Sequence, residues 1–137
     1  AVTEGRIDVI ATDHAPHTAA AKAKPFAEAP CGVIGLETAA AVVWTRLVQP
    51  GLLGPAEMAA AMSVRPAFHF GGDETSFGLR PHETCDAVIF DPNATWTVDP
   101  ARFKSKGRNC PFDGWELTGR VAATIVEGEV RYRADSG

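Results

Sequence analysis

A short run rich in Ile and Val, Ile7-Asp8-Val9-Ile10-Ala11-Thr12, stops at Asp13, and His14-Ala15-Pro16-His17 follow at once. A brief apolar, β-branched run of this kind reads as a buried strand of a parallel sheet. Pro16 cannot continue a ladder and biases Ala15 towards an extended conformation, so the strand is expected to end near Asp13. One carboxylate and two imidazoles then stand at the carboxyl end of a buried strand, which is where α/β barrels build their active sites. Taken alone, an acid after a strand is also a common helix cap, and histidines after it can be plain loop residues. The longer context has to decide.

The 137 residues are enough to bury a core, yet they read as a piece of something larger. The chain opens with Ala1 and reaches a buried-type strand within its first ten residues. A complete (β/α)8 barrel needs ~250 residues, and only one barrel strand is visible, so the upstream catalytic half is expected to be missing. A formal net charge of −4 argues against nucleic acid or an anionic membrane surface as partner. No apolar run reaches the ~18 residues that a membrane span needs, and no signal peptide is visible. Cys31, Cys85 and Cys110 are odd in number and in no CxxC spacing. That favours free thiols in a reducing cytoplasm over disulfides or structural zinc.

Along the chain, residues 18–28 read as a loop with a weak helical tendency. Residues 29–35 carry Pro30, Gly32 and Gly35, which suits a chain bending sharply against a ligand. Leu36, Ala39, Ala40, Val43 and Leu47 repeat at helical spacing, predicting a helix over 36–48. Val42, Trp44 and Val48 make it apolar nearly all round, as expected of a helix covered on more than one side. Pro50 and Gly51 end it. A second helix starts at Pro55, with Met58, Ala61 and Met62 on its inner face, and ends near Ser63. Arg65-Pro66-Ala67-Phe68 predicts a final short helix, with His69 assigned to packing. Gly71-Gly72-Asp73 breaks the pattern and sets a boundary between residues 1–70 and 71–137. Beyond it, Ala87-Val88-Ile89-Phe90-Asp91 predicts a strand closed by the turn signal Asp91-Pro92-Asn93. Trp96-Thr97-Val98 predicts a second strand and residues 121–126 a third, which Gly128-Glu129 turn into the hairpin partner Val130-Arg131-Tyr132.

Four stretches carry a resemblance. Ala11-Thr12-Asp13-His14-Ala15-Pro16-His17, then a polar loop with Lys22 and Lys24, then Ala29-Pro30-Cys31-Gly32-Val33-Ile34-Gly35-Leu36-Glu37-Thr38 resemble the dihydroorotase branch of the amidohydrolases. The resemblance continues through Met62-Ser63-Val64-Arg65-Pro66-Ala67 and Asn109-Cys110-Pro111-Phe112-Asp113-Gly114, and so covers essentially the whole chain. It implies an α/β fold. Residues 1–70 would be the last strand, active-site loop and helices of a metal-dependent (β/α)8 barrel. Residues 71–137 would be the carboxyl-terminal part of a small antiparallel β-sandwich, which in the family is completed by strands from the amino-terminal end.

The implied reaction is the reversible cyclisation of N-carbamoyl-L-aspartate to L-dihydroorotate, a step of pyrimidine synthesis. The implied cofactor is Zn2+, one or two ions, with the remaining ligands upstream. A divalent metal lowers the pKa of bound water to about 7. The resemblance gives Asp13 two roles, metal ligand and proton shuttle to the leaving nitrogen. It gives His17 the substrate's free carboxylate, and it has Cys31 and Gly32 offer backbone groups to the ring edge. His14 is read as structural, because in extended backbone its side chain points away from its neighbour's. A Cys31 nucleophile is the tempting alternative, but the sequence offers no His–Asn partner set for it. Cys31 also departs from the residue expected at its position, which a backbone contact tolerates. His82-Glu83-Thr84-Cys85-Asp86 departs from a Gly-x-x-Ala-Asp turn and puts that turn's geometry in question.

Two rival readings stand beside this one. A sister cyclic amidase (dihydropyrimidinase, hydantoinase or allantoinase type) shares the Asp-bearing strand. His17 with Gly35-Leu36-Glu37-Thr38 suits an acidic ring better. A non-catalytic scaffold for aspartate transcarbamoylase would have no need to keep Asp13 and His17. The expected partner is a small-molecule substrate, and assembly is left open between a homo-oligomer and association with aspartate transcarbamoylase.

Overall fold

Helices come before sheet in this chain. The computed structural model describes residues 1–72 and 78–134. Thr18 opens α1 (Ala19–Lys22), its hydroxyl accepting from the Ala21 amide at 3.2 Å, a common cap for the free donors of a first turn. The next helix, α2 (Ala39–Val43), runs on into a wider π-type stretch, Trp44–Val48, where the Gln49 amide reaches back five residues to the Trp44 carbonyl. It begins three residues later than the spacing predicts. Leu36, in the turn before the helix where the Ala39 amide donates to the Gly35 carbonyl at 2.9 Å, stays 66% exposed. Gly51, at φ 74, turns the chain after it.

Pro55 opens α3 (Pro55–Ala59), where the Glu57 carboxylate accepts from the Gly54 amide at 2.7 Å. The helix does not stop near Ser63. A second π-type stretch, Ala60–Val64, leads straight into α4 (Arg65–His69). Pro66 has no amide to donate and falls at this change of spacing. His69 is not a packing residue: it is surface-exposed, and its Nε2 lies 3.5 Å from the Asp8 carboxylate.

The sheet is antiparallel, in the order β1 (Ala87–Thr97), β2 (Glu116–Val126), β3 (Glu129–Arg133). The two strands expected around Asp91-Pro92-Asn93 are one. Pairing jumps from Asp91↔Arg120 to Thr95↔Thr118, so the extra residues form a bulge. The Asp91 carboxylate accepts from the Asn93 and Ala94 amides at 2.9 and 3.2 Å, so the would-be turn is held inside the strand. Strand β2 starts earlier than the predicted 121–126. Glu127 (φ 52) and Gly128 (φ 77) make the tight hairpin to β3. His82 stands at φ 66, so the family's glycine position is filled by a residue in the glycine-like conformation.

The helix at 39–48 is covered on two sides, as its all-round apolarity predicts. Ala41 packs with Val98 and Leu117 of the sheet region, flanked by Trp96, Phe103 and Phe112. Val43 and Val48 pack with Leu53, flanked by Ile10, Met58 and Met62. Burying a Leu or Val side chain contributes about 1.5–3 kcal/mol, and residues on both sides of position 70 share the first cluster. Thr45 joins helix to sheet, its hydroxyl donating to the Thr118 carbonyl at 3.0 Å and accepting from its amide at 2.9 Å. Cys110 lies half-buried at this core, and burial pushes its thiol pKa up. The Gly71-Gly72-Asp73 boundary falls partly outside the described residues, since Asp73 is not among them.

The opening strand is the main correction. Residues 7–13 form no ladder, and Ile7 is 46% exposed. A strand needs a neighbour for its backbone groups, and the only pairing here is one parallel bridge, His14↔Val33. The Ile10 amide instead donates to the Ala61 carbonyl at 3.0 Å.

Candidate active site

Asp13 ends the 7–13 segment at φ 44, a left-handed conformation that costs a non-glycine residue of order 1–3 kcal/mol and tends to persist at functional sites. Its carboxylate is exposed and takes no hydrogen bond or ion pair from another described residue. His14 turns inward. Its Nδ1 accepts from the Gly35 amide at 3.1 Å and the Leu36 amide at 3.4 Å. With Nδ1 accepting, Nε2 is the ring nitrogen left to donate. Gly35 can approach because a β-carbon there would already stand 3.2 Å from Thr12.

The structure brings His17, Cys31 and Gly32 together. His17 Nε2 lies 2.8 Å from the Cys31 carbonyl oxygen. Gly32 has φ 105, and a β-carbon there would lie 2.5 Å from that of Ala15 and 3.7 Å from His17 Nε2. Only glycine fits between the two segments. Alongside, the Ala15 amide donates to the Val33 carbonyl at 2.9 Å.

Two polar residues missed as site residues hold this loop. Lys22, on α1, donates its Nζ to the carbonyls of Pro30 at 3.0 Å and Gly32 at 3.2 Å. Asn109 donates its Nδ2 to the carbonyls of Ala15 at 2.9 Å and Gly32 at 3.2 Å, and its Oδ1 accepts from the His17 amide at 3.2 Å. The Glu37 carboxylate steadies the approach to Asn109, accepting from the Lys104 and Ser105 amides at 2.9 and 3.0 Å. Lys22 was visible as a cation in a polar loop, and Asn109 as the head of the Asn109-Cys110-Pro111 motif. Neither pattern tells which carbonyls they meet.

His17 and Asn109 both meet the loop that carries Cys31. They form no nucleophile set, however. The His17 ring meets the Cys31 backbone oxygen, and Asn109 meets the His17 amide rather than its ring. Among the described residues, no three His, Cys, Asp or Glu side chains gather to hold a metal ion. Catalytic zinc takes three protein ligands, so these residues do not make a zinc site by themselves. A groove lined by His14, Glu37, Phe103 and Arg120 among others does not include Asp13, His17 or Gly32. No helix among the described residues is long and apolar enough to cross a membrane.

No protein-family model matches the chain. Individual proteins do. The dihydroorotase of Caldanaerobacter subterraneus subsp. tengcongensis is 47% identical over 130 residues, covering 95% of this chain and 30% of that protein. The dihydroorotase of Pelotomaculum thermopropionicum is 48% identical over 129 residues, covering 94% and 30%. Among solved structures, a D-hydantoinase (dihydropyrimidinase) from Thermus sp. matches with a TM-score of 0.85 at 26% identity. An L-hydantoinase (dihydropyrimidinase) from Arthrobacter aurescens matches with a TM-score of 0.85 at 29%. Both cover 96% of this chain and 30% of theirs. The chain is therefore similar, over nearly all its length, to dihydroorotases in sequence and to hydantoinases in fold, and it spans about 30% of the length of these relatives.

Proposed function

We propose that this chain is the carboxyl-terminal part of a dihydroorotase, comprising the end of the barrel (1–70) and part of the β-sandwich (71–137). The parent enzyme would interconvert N-carbamoyl-L-aspartate and L-dihydroorotate in the cytoplasm. The observation that carries this reading is 47% identity to a dihydroorotase over 95% of the chain. The same segments supply the clustered His17, Cys31 and Gly32. The fold likeness to hydantoinases favours a second reading, a sister cyclic amidase. The lower identity of those proteins ranks it behind the first.

In ring opening, water adds to the ring amide carbon and the carbon–nitrogen bond breaks. The Asp13 carboxylate takes the proton from the attacking water and delivers it to the departing nitrogen. Among the described residues no group donates to this carboxylate, which leaves both oxygens available for that transfer. His17 receives the substrate carboxylate through a charge-assisted hydrogen bond worth about 1.5–3 kcal/mol. The Cys31-Gly32 backbone lines the ring edge. Asp13 would also contribute one ligand to a zinc centre whose other ligands lie outside this chain.

The test is Asp13→Asn in the full-length parent, assayed on dihydroorotate with metal content checked. Loss of a general base costs roughly 10²–10⁴ in rate, and that loss is expected. A variant within about threefold of the parent rate would remove Asp13 from the chemistry.

A further inference from the structure

We infer that Asn109 is a positioning residue for substrate binding, resting on the reading of His17 and Cys31-Gly32 given above. Its one side-chain amide uses three hydrogen-bonding positions on two segments far off in sequence. Nδ2 donates to the Ala15 and Gly32 carbonyls, and Oδ1 accepts from the His17 amide, 92 residues away. Its backbone adds a fourth bond, the Asn109 carbonyl accepting from the Ile34 amide at 3.2 Å. The segment carrying the imidazole and the segment offering backbone groups are thereby fixed to a common point.

The site around Asn109 is shaped for this contact. Gly107 packs so closely that a β-carbon there would lie 2.9 Å from the Pro16 β-carbon and 3.0 Å from Asn109 Oδ1. Direct His17–Cys31 contact cannot replace the clasp, because it is one solvent-exposed bond between the partly buried His17 and the exposed Cys31. Asn109 itself touches no reacting atom in this account. It acts by holding the two recognition segments at fixed separation, so its loss should weaken binding more than turnover.

Asn109→Ala in the full-length parent tests this. Removing the clasp should raise the KM for dihydroorotate about tenfold, the equivalent of one good hydrogen bond, while kcat stays within about threefold. A purely structural role would lower the active fraction, and so kcat, without moving KM. Hydrogen exchange supplies an activity-independent arm: the His17 amide should lose protection in the variant. An unchanged KM, or an unchanged His17 amide, would overturn the inference. Where Asn109→Ala does not fold, Asn109→Leu nearly keeps the volume, removes donor and acceptor alike, and is read the same way. Failure of both to fold would make the residue structural only. A parent that opens dihydrouracil but not dihydroorotate would contradict the substrate reading alone, and the KM comparison is then made on that ring.

Discussion

Gly32 and Ala15 approach so closely that a β-carbon on Gly32 would sit 2.5 Å from that of Ala15, and Gly32 holds φ 105 to do so. The obstacle is a β-carbon fixed to backbone, so it cannot swing aside. Gly32→Ala therefore combines backbone strain with overpacking, each costing about 1–3 kcal/mol. The loop can relieve the clash only by moving off His17. The full-length variant should keep its fold with a lowered Tm and lose at least about tenfold in kcat/KM on dihydroorotate. Unchanged kinetics would show that the Gly32 contact does not shape the site.

A second glycine bears on stability rather than chemistry. Gly119 on β2 stands at φ 88, and a β-carbon there would lie 2.5 Å from the Phe90 ring and 2.9 Å from Trp44. Those rings pack at 5.3 Å between centroids, and the Trp96 indole donates to the Gly119 carbonyl at 3.1 Å. Gly119→Ala should lower stability by about 2–4 kcal/mol, read as a shift in denaturant midpoint. A loss below about 0.5 kcal/mol would mean that helix and sheet are not locked at this point.

How much of this was legible in the sequence differs by element. The helix at 39–48 and its two covered faces follow from apolar residues at every angle, because local periodicity and burial agree there. The hairpin follows from turn chemistry, although its turn residues are Glu127-Gly128 and not the expected Gly128-Glu129, since Glu129 already belongs to β3. The 7–13 segment forms no ladder because strand pairing depends on a neighbouring strand, and composition carries no record of that neighbour. The Asp91-Pro92-Asn93 bulge was misread because the same residues serve a turn or a bulge, and cross-strand register decides between them. In the site, Asp13, His17 and Gly32 were candidates offered by motif. Asn109 was not, because a contact spanning 92 residues leaves no local pattern.

The chain alone gives a further prediction. Its described residues hold no three-residue metal cluster. Val88, Ile89 and Val130 on the sheet are 58%, 54% and 51% exposed, apolar surface of the kind that promotes association. Purified by itself and dialysed against a weak chelator, it should retain far less than one zinc per chain, form no carbamoyl aspartate and tend to aggregate. Stoichiometric zinc with turnover would show that the site is complete within these residues.

The central claim is that His17 recognises an acidic ring, and comparing two substrates tests it most directly. Dihydroorotate carries the carboxylate that His17 would hold, and dihydrouracil lacks it. The measurement is kcat/KM on both rings for the full-length parent and for His17→Asn. Loss of one charge-assisted hydrogen bond worth about 1.5–3 kcal/mol predicts a fall of roughly 10–150-fold on dihydroorotate. Dihydrouracil hydrolysis, poor from the start, should change by less than about threefold. An equal loss on both rings would contradict the account, because His17 would then be supporting the site without reading the substrate's charge.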